Sequence, residues 1–272
     1  MTQKIRHYIV GDIHGCFKEY LRLEKKLIKD AAGHGANYRI ISCGDLIDRG
    51  PESKDVVEHF RKEHQNGTHE LVLGNHEVMM LEVVHAFRPD LFENITLPKW
   101  FEPLEVLYQQ EKATLGGLGL TEYKHQHLDS WIGQGGLETM HSFEFEPYNS
   151  RSWDFIKETL RFLMSAPLIL EYEAFVVTHA LPTRESLDVF ISDEKASVHE
   201  KRQAAQTLLW NRSLKGVKPD QRIWVSGHTP YKGIRRSRRK KVLQIDTGCY
   251  SGGSLTAWIA EDNKFSRVYA SL

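Results

Sequence analysis

The chain has 272 residues, and its 36 lysines and arginines match its 36 aspartates and glutamates, so whole-molecule steering of an anionic substrate is not expected. A hydrophobic share of 40% is ordinary for a soluble chain with a sizeable core, and no apolar run approaches the roughly 20 residues of a membrane helix. The N-terminus lacks the basic-then-apolar pattern of a signal peptide, and Cys16, Cys43 and Cys249 are too scattered for a disulfide framework, so a cytoplasmic location is expected.

In chain order, Ile5 to Val10 reads as a strand, and Phe17, Tyr20, Leu21, Leu27 and Ile28 then recur at helical spacing. The β-loop-α unit repeats: Tyr38 to Ser42 is followed by a helix opened by Pro51 and carrying Val56, Val57 and Phe60, and Leu71 to Leu73 by a helix beginning near Glu77. Such alternation predicts a parallel sheet whose strand-end loops share one edge. From about Val78 to Glu171 the pattern is helical, broken at Leu115 to Gly119 and Gly133 to Gly136, and reads as an inserted helical cap. Those glycine clusters lack the Lys and Ser/Thr of a phosphate loop and read as turns. Strands return at Phe175 to Val177, Ile223 to Val225, Val242 to Ile245, Leu255 to Ala260 and Arg267 to Ala270, and their short connections predict a largely antiparallel second sheet.

Chemistry concentrates just past the strands. G-D-I-H-G at Gly11 to Gly15, G-D-L-I-D-R-G at Gly44 to Gly50 and G-N-H-E at Gly74 to Glu77 place Asp12, His14, Asp45, Asp48, Arg49, Asn75 and His76 at strand ends. His179 in F-V-V-T-H-A and His228 in W-V-S-G-H-T extend the pattern to the second half. Strand ends that deliver two Asp, one Asn and three His point to a binuclear metal site.

These segments in this order resemble the calcineurin-like metallophosphoesterases, and within them the bacterial and phage serine/threonine phosphatases, which W-N-R at Trp210 to Arg212 and I-D-T-G at Ile245 to Gly248 also fit. The resemblance covers Tyr8 to about Gly253 and implies an α/β fold of two packed mixed sheets flanked by helices. A single domain over 1–272, with the helical cap at about 78–171, follows from it. It assigns Asp12 and His14 with Asp45 to one cation, and Asn75, His179 and His228 with Asp45 to a second, Asp45 bridging. The cations implied are two divalent ions, manganese first, with iron, zinc or nickel fitting the same donors. Water at such a pair ionises near neutral pH and attacks phosphorus in line.

His76 beside the candidate ligand Asn75 is the natural proton donor to the leaving group, with Asp48 to orient it, while the planar forks of Arg49 and Arg212 match phosphate oxygens. The expected activity is a metal-dependent phosphomonoesterase, foremost a serine/threonine protein phosphatase acting on a phosphorylated protein or peptide. The alternative is a dinucleoside polyphosphate hydrolase. That branch tends to show A-R-G and N-H-D where this chain has Asp48 before Arg49 and Glu77 after His76. A non-catalytic phosphate-binding module would be expected to have lost ligands. Cys16 with Arg22 has the C-x5-R spacing of cysteine phosphatases, but the bulky helical residues between them cannot cradle phosphate. Arg235 to Lys241, basic except at Ser237, reads as a solvated hairpin loop without the aromatics of a nucleic-acid site. His34, His59, His64, His69, His125 and His127 sit in polar company and read as surface.

Overall fold

Each buried strand divides its side chains between two apolar faces, and that alternation sets the layers. A computed structural model describes residues 4–146, 149–191, 196–218, 220–239 and 241–270, apart from the side chains at 154 and 155. The first half runs β1 (Ile5–Val10), α1 (Phe17–Gly33), β2 (Asn37–Ser42), α2 (Ser53–Gln65), β3 (His69–Leu71) and α3 (Asn75–Phe87). A helical stretch follows with α4 (Leu104–Glu111), α5 (Leu120–Trp131), α6 (Leu137–Ser142) and α7 (Lys157–Ser165). The chain continues through β4 (Ile169–Glu171), β5 (Phe175–Thr178), α8 (Arg184–Ile191), α9 (Val198–Trp210), β6 (Ile223–Ser226), β7 (Arg235–Ser237), β8 (Val242–Gln244), β9 (Ser254–Ile259) and β10 (Lys264–Tyr269).

Two five-stranded sheets result, in the orders β10-β9-β1-β2-β3 and β4-β5-β6-β8-β7. In the first, β1, β2 and β3 are parallel and the β9–β10 hairpin adds antiparallel to β1. In the second, β5, β6 and β8 are parallel and the edge strands β4 and β7 antiparallel. This α/β arrangement of two mixed sheets flanked by helices agrees with the expected class. Two details of the expectation are corrected. The second sheet is parallel at its centre, because α8 and α9 fill the connection between β5 and β6 and supply the crossover that parallel pairing needs. The last two strands join the first sheet, since Leu255, Ala257 and Ile259 face the helix-side core while Trp258 faces the other sheet.

Ile9, Ile41, Val72, Phe175, Val177, Val225, Leu243, Ile245 and Trp258 interlock between the sheets. On the far side of the first sheet, Tyr8, Val10 and Ile40 pack against Tyr20, Leu23 and Leu27 of α1 and Val56, Val57 and Phe60 of α2. Val176, Trp224 and Val242 carry Leu187 of α8 on the far side of the second. Helix α3 is buried on most of its circumference and packs against α5, so the helical stretch closes over the residues that follow β3. Among the described residues no helix is long and apolar enough to cross a membrane.

Trp258 is 1% exposed, meets Phe175 edge-on at 5.7 Å and donates its indole N–H to Asn263 Oδ1 at 3.1 Å. Trp258→Ala should therefore cost about 3–5 kcal/mol in urea unfolding. Ile5→Ala, at a position 40% exposed, should cost less than about 0.5 kcal/mol. Equal midpoint shifts for the two variants would contradict a core held between the sheets.

Candidate metal centre

Because β1, β2 and β3 run parallel in one sheet and β5, β6 and β8 in the other, six strands deliver their C-terminal loops to one rim. Asp12 and His14 follow β1, Asp45 follows β2, Asn75 and His76 follow β3, His179 follows β5 and His228 follows β6. Asp246 follows β8 and completes the set. The I-D-T-G segment singled out in the sequence was the signal for Asp246, but no role was expected of it. Nine described non-glycine residues have positive φ, and five of them are His14, Asp45, Asp48, Arg49 and His228. Backbone strain of that kind persists only where surrounding contacts over-determine it. Two glycines make the approach possible: a Cβ at Gly74 would overlap Asp45 Oδ1, and one at Gly227 would overlap Asp12 Oδ1.

Asp45 lies at the middle. Its Oδ2 is 3.5 Å from His14 Nε2 and 3.9 Å from His76 Nε2, and its Oδ1 is 3.5 Å from His179 Nε2. Two groups of metal-type donors share it, His14 with Asp45 and His76, and Asp45 with His179 and His228. Asn75 Oδ1 joins the second at 2.8 Å from His179 Nε2 and 3.0 Å from His228 Nδ1. Asp12 reaches across to the second sheet, where its Oδ2 accepts the His228 backbone N–H at 2.8 Å. Glu77 holds the Asp45 loop from behind. Its carboxylate accepts the backbone N–H groups of Gly74, Asp45, Leu46 and Ile47 at 2.8, 2.9, 2.7 and 3.3 Å.

The hydrogen-bond accounting asks for cations. His14 Nδ1 donates to the Ile47 carbonyl and His179 Nδ1 to the Cys43 carbonyl, each at 2.8 Å, so both rings turn a bare Nε2 inward. The His179 lone pair then meets Asn75 Oδ1, another acceptor. Asp12 Oδ1 and His228 Nε2 are buried with no hydrogen-bond partner among the described residues. Burial pushes His14 and His228 down to about 3 and lowers His179, leaving neutral imidazoles able to ligate. Burial, then Asp246 and Asp45, raise Asp12, and burial pushes Asp246 up to about 6. Asp45 runs the other way: against the burial penalty, His179, His76 and His14 hold it below the usual carboxylate range. The residues present thus fit a pair of divalent cations.

Toward solvent, His76 Nδ1 is 2.6 Å from Asp48 Oδ2. Burial lowers His76, but Asp45 and the Asp48 hydrogen bond outweigh it and the net shift is upward. Asp48 is in turn held by the helical stretch, accepting Trp131 Nε1–H at 3.0 Å and Thr139 Oγ1–H at 2.5 Å. Arg49 lies over the Tyr250 ring at 4.4 Å, with Nη2 3.1 Å from His76 Nε2 and its backbone N–H on the Gly135 carbonyl at 3.1 Å. The glycines at 133–136, expected to be turns, join α5 to α6 through a kink at Gly135, whose φ is 108°, and its carbonyl fixes the backbone of Arg49. Trp131, Thr139 and Gly135 were not expected at the site. Arg212 is exposed, and its charge is felt at His228.

Other expectations resolve as follows. Cys16 precedes α1, and Arg22 lies within it, pairing with Glu19 at 2.9 Å, so no phosphate cradle joins them. Arg235 to Ser237 form the edge strand β7, and Lys240 lies outside the described residues. His34 and His64 are exposed and His59, His125 and His127 half-buried, but His69 is fully buried, because its ring packs against Tyr20 of α1 and Phe60 of α2.

Residues 5–242 match the family model described as calcineurin-like phosphoesterase. The chain is 26% identical to the symmetrical bis(5'-nucleosyl)-tetraphosphatase of Neisseria meningitidis over 97% of this chain and 96% of that one. A solved structure of a putative diadenosine tetraphosphatase superposes with a TM-score of 0.55 at 16% identity, covering 99% of each chain. A protein serine/threonine phosphatase from Saccharomyces cerevisiae superposes at 0.56 and 15% identity, covering 100% of this chain and 81% of that one. At those identities the structural likenesses speak for the fold.

The carboxyl shifts set a pH dependence for cation binding. With Asp246 raised to about 6 and its neighbour Asp12 raised beside it, a proton competes with the cation below that pH, whereas the lowered histidines add no competitor. Affinity should therefore rise with pH through about 6. Loading Mn²⁺ at pH 6 should release about half a proton or more, and Asp246→Asn should release less. Calorimetry in buffers of different ionisation enthalpy measures this; identical heats for the native chain would refute it.

Proposed function

The chain belongs to the calcineurin-like phosphoesterase family, and from that premise we propose that it hydrolyses dinucleoside polyphosphates such as diadenosine tetraphosphate. The observation that carries the reading is the end-to-end match to a symmetrical bis(5'-nucleosyl)-tetraphosphatase, 97% of one chain against 96% of the other. The site's shape supports it. A cavity of about 460 Å³ opens beside Arg49 and Tyr250, with Lys18 on its wall, where a nucleoside carried by a phosphate chain can rest.

Asp12 and His14 with Asp45 would hold one divalent cation, and Asn75, His179 and His228 with Asp45 a second, manganese being the first choice. Such a pair, when bound, neutralises phosphoryl oxygens and lowers the pKa of water into the neutral range. The protein's own groups do the rest. Arg49 grips the substrate phosphate and, in doing so, leaves His76 Nε2, which it touches in the free protein at 3.1 Å. The freed nitrogen takes up a proton, favoured by Asp45 and by Asp48 on the other ring nitrogen, and faces the departing oxygen as general acid. Arg212 adds positive potential from the opposite side of the rim. Free Cys16, Cys43 and Cys249 agree with a reducing cytoplasm, where nucleotide substrates are at hand.

A second reading, phosphoserine or phosphothreonine hydrolysis, rests on the same His76–Asp48 pair. A serine alkoxide is a poor leaving group and depends on an acid more than a nucleotide does. Glu77, which also pointed to that branch, faces four backbone N–H groups and not the substrate, so it carries no information about specificity.

Two measurements test these assignments. At matched Mn²⁺ and pH, kcat/KM for diadenosine tetraphosphate should exceed that for phosphoserine or phosphothreonine peptides at least about tenfold, a gap of ~1.4 kcal/mol. The reverse order would move the chain to the phosphoprotein reading. His76→Asn should reduce turnover by about 10²-fold or more on alkyl phosphates and by less on aryl phosphates, with metal content unchanged. A uniform loss across that leaving-group series would remove His76 from the acid role.

A further inference from the structure

Away from the strand-end rim, one other cluster of ligand-type side chains converges among the described residues. Glu24 of α1, His59 of α2 and His69 of β3 bring one donor atom each to within 4.8 Å of the others. His59 Nε2 is 2.9 Å and His69 Nε2 3.1 Å from the same oxygen, Glu24 Oε1. His69 is the first residue of β3, whereas Asn75 lies past that strand's end, so these groups belong to a different part of the layer. Glu24 and His69 are buried and His59 is half-buried, which leaves an approach from solvent beside the His59 ring.

The protons around His69 do not close. Thr68 Oγ1 has one hydrogen, and it goes to the Glu63 carbonyl at 3.0 Å. The contact of 3.0 Å between His69 Nδ1 and Thr68 Oγ1 must then be a donation from the ring, which leaves Nε2 bare in the neutral imidazole. Tyr20 Oη, 2.6 Å away, can donate to that lone pair, but the Glu24 carboxylate faces it as a second acceptor. Protonating Nε2 removes this conflict and creates another, because the Tyr20 hydroxyl has no other hydrogen-bond partner among the described residues.

We propose that Glu24, His59 and His69 form a further divalent-cation site, of the zinc type, that pins α1, α2 and β3 together apart from the reaction centre. Two imidazoles and one carboxylate are a common zinc donor set, and Tyr20 Oη or a water completes a tetrahedron. Zn–N and Zn–O bonds of about 2.0–2.2 Å at tetrahedral angles separate donors by about 3.3 Å, so the spacings of 2.9 and 3.1 Å from Glu24 Oε1 to the two imidazoles need to open by only a few tenths of an ångström. The second ring nitrogen of His69 is already oriented by Thr68, as a ligating imidazole requires.

The site is tested with Co²⁺ and Zn²⁺ on the full chain carrying Asp45→Asn and His179→Asn, which weaken the strand-end centre. After stripping and dialysis, elemental analysis should find about one ion per chain, and Co²⁺ should give the intense visible absorption of a tetrahedral site. Adding His59→Gln, or Glu24→Gln as an independent check, should remove that ion and that absorption while circular dichroism stays native. In the otherwise native chain, His59→Gln should leave two ions and full Mn²⁺-dependent hydrolysis. An ion count unchanged by both His59→Gln and Glu24→Gln, or no bound ion in the folded Asp45→Asn/His179→Asn chain, would overturn the proposal and leave the cluster a proton-sharing ion pair.

Discussion

Everything at the rim is arranged around one buried carboxylate. Asp45 turns one oxygen toward His14 of the first sheet and the other toward His179 of the second, each at 3.5 Å, so it is the point at which the two sheets meet chemically. Keeping it ionised in a dry environment is costly, and the structure offsets that cost locally. Its Oδ1 accepts the His76 backbone N–H at 3.2 Å in the first turn of α3, where the helix end presents partial positive charge. The loop itself is fastened by Glu77, a second buried carboxylate satisfied by backbone donors. The strained φ values at Asp45 and His14 follow, since no relaxed backbone would bring these oxygens and nitrogens to one point. Neutral histidines beside crowded carboxylates complete the case: Asp246 and Asp45 raise the cost of ionising Asp12, and Asp45 that of ionising Asp246, until positive charge is supplied.

From that centre the control of reactivity passes outward through a single chain of contacts. Asp48 does not face the rim; it faces His76, and Trp131 and Thr139 of the helical stretch fix its two oxygens. The backbone of Arg49 is fixed to Gly135 of the same stretch. The helices after α3 therefore do more than cover the sheet. They determine the direction in which the His76 ring points and where the Arg49 side chain begins, so a shift of α5 against α6 would move both together.

The strand-end residues were legible in the sequence because their geometry is local. A β-strand, a glycine and an Asp or His within three residues place a side chain at a sheet edge with no further information. Asp12, His14, Asp45 and His228 depend on nothing more, Asn75 follows its glycine in the same way, His179 follows β5 without one, and all six converge. What escaped depends on partners far away along the chain. Trp131 meets Asp48 across 83 residues and Thr139 across 91, and no spacing rule reaches that far. The pairing of β9 with β1 was misread for a related reason: a strand buried on both faces carries no mark of which sheet it belongs to. His69 was placed on the surface from its polar neighbours in sequence, whereas its neighbours in space are Tyr20, Phe60 and Glu24. Glu77 is conspicuous in the sequence after His76, and what the structure gives it to do is fasten the Asp45 loop.

The choice of substrate must therefore be made outside the strand-end donors. Those groups handle a phosphoryl group and an attacking water, which anhydrides and esters present alike. A preference of a thousandfold needs only about 4 kcal/mol of transition-state binding, the yield of a few well-placed contacts to the remainder of the substrate. The free contacts nearest the rim belong to Tyr250, whose ring carries Arg49 on one side and edges against His14 at 4.9 Å, and to the cavity beside it. If Arg49 leaves the ring for a phosphate, as the proposed function requires, the exposed aromatic face would suit a planar base, since stacking on one aromatic residue is worth about 1–3 kcal/mol. An extended phosphopeptide offers no equivalent planar group at that distance from its phosphate. Under the proposed dinucleoside reading, the same movement that would ready His76 as an acid would also uncover the Tyr250 face for the nucleoside, so that one guanidinium would couple recognition to proton transfer.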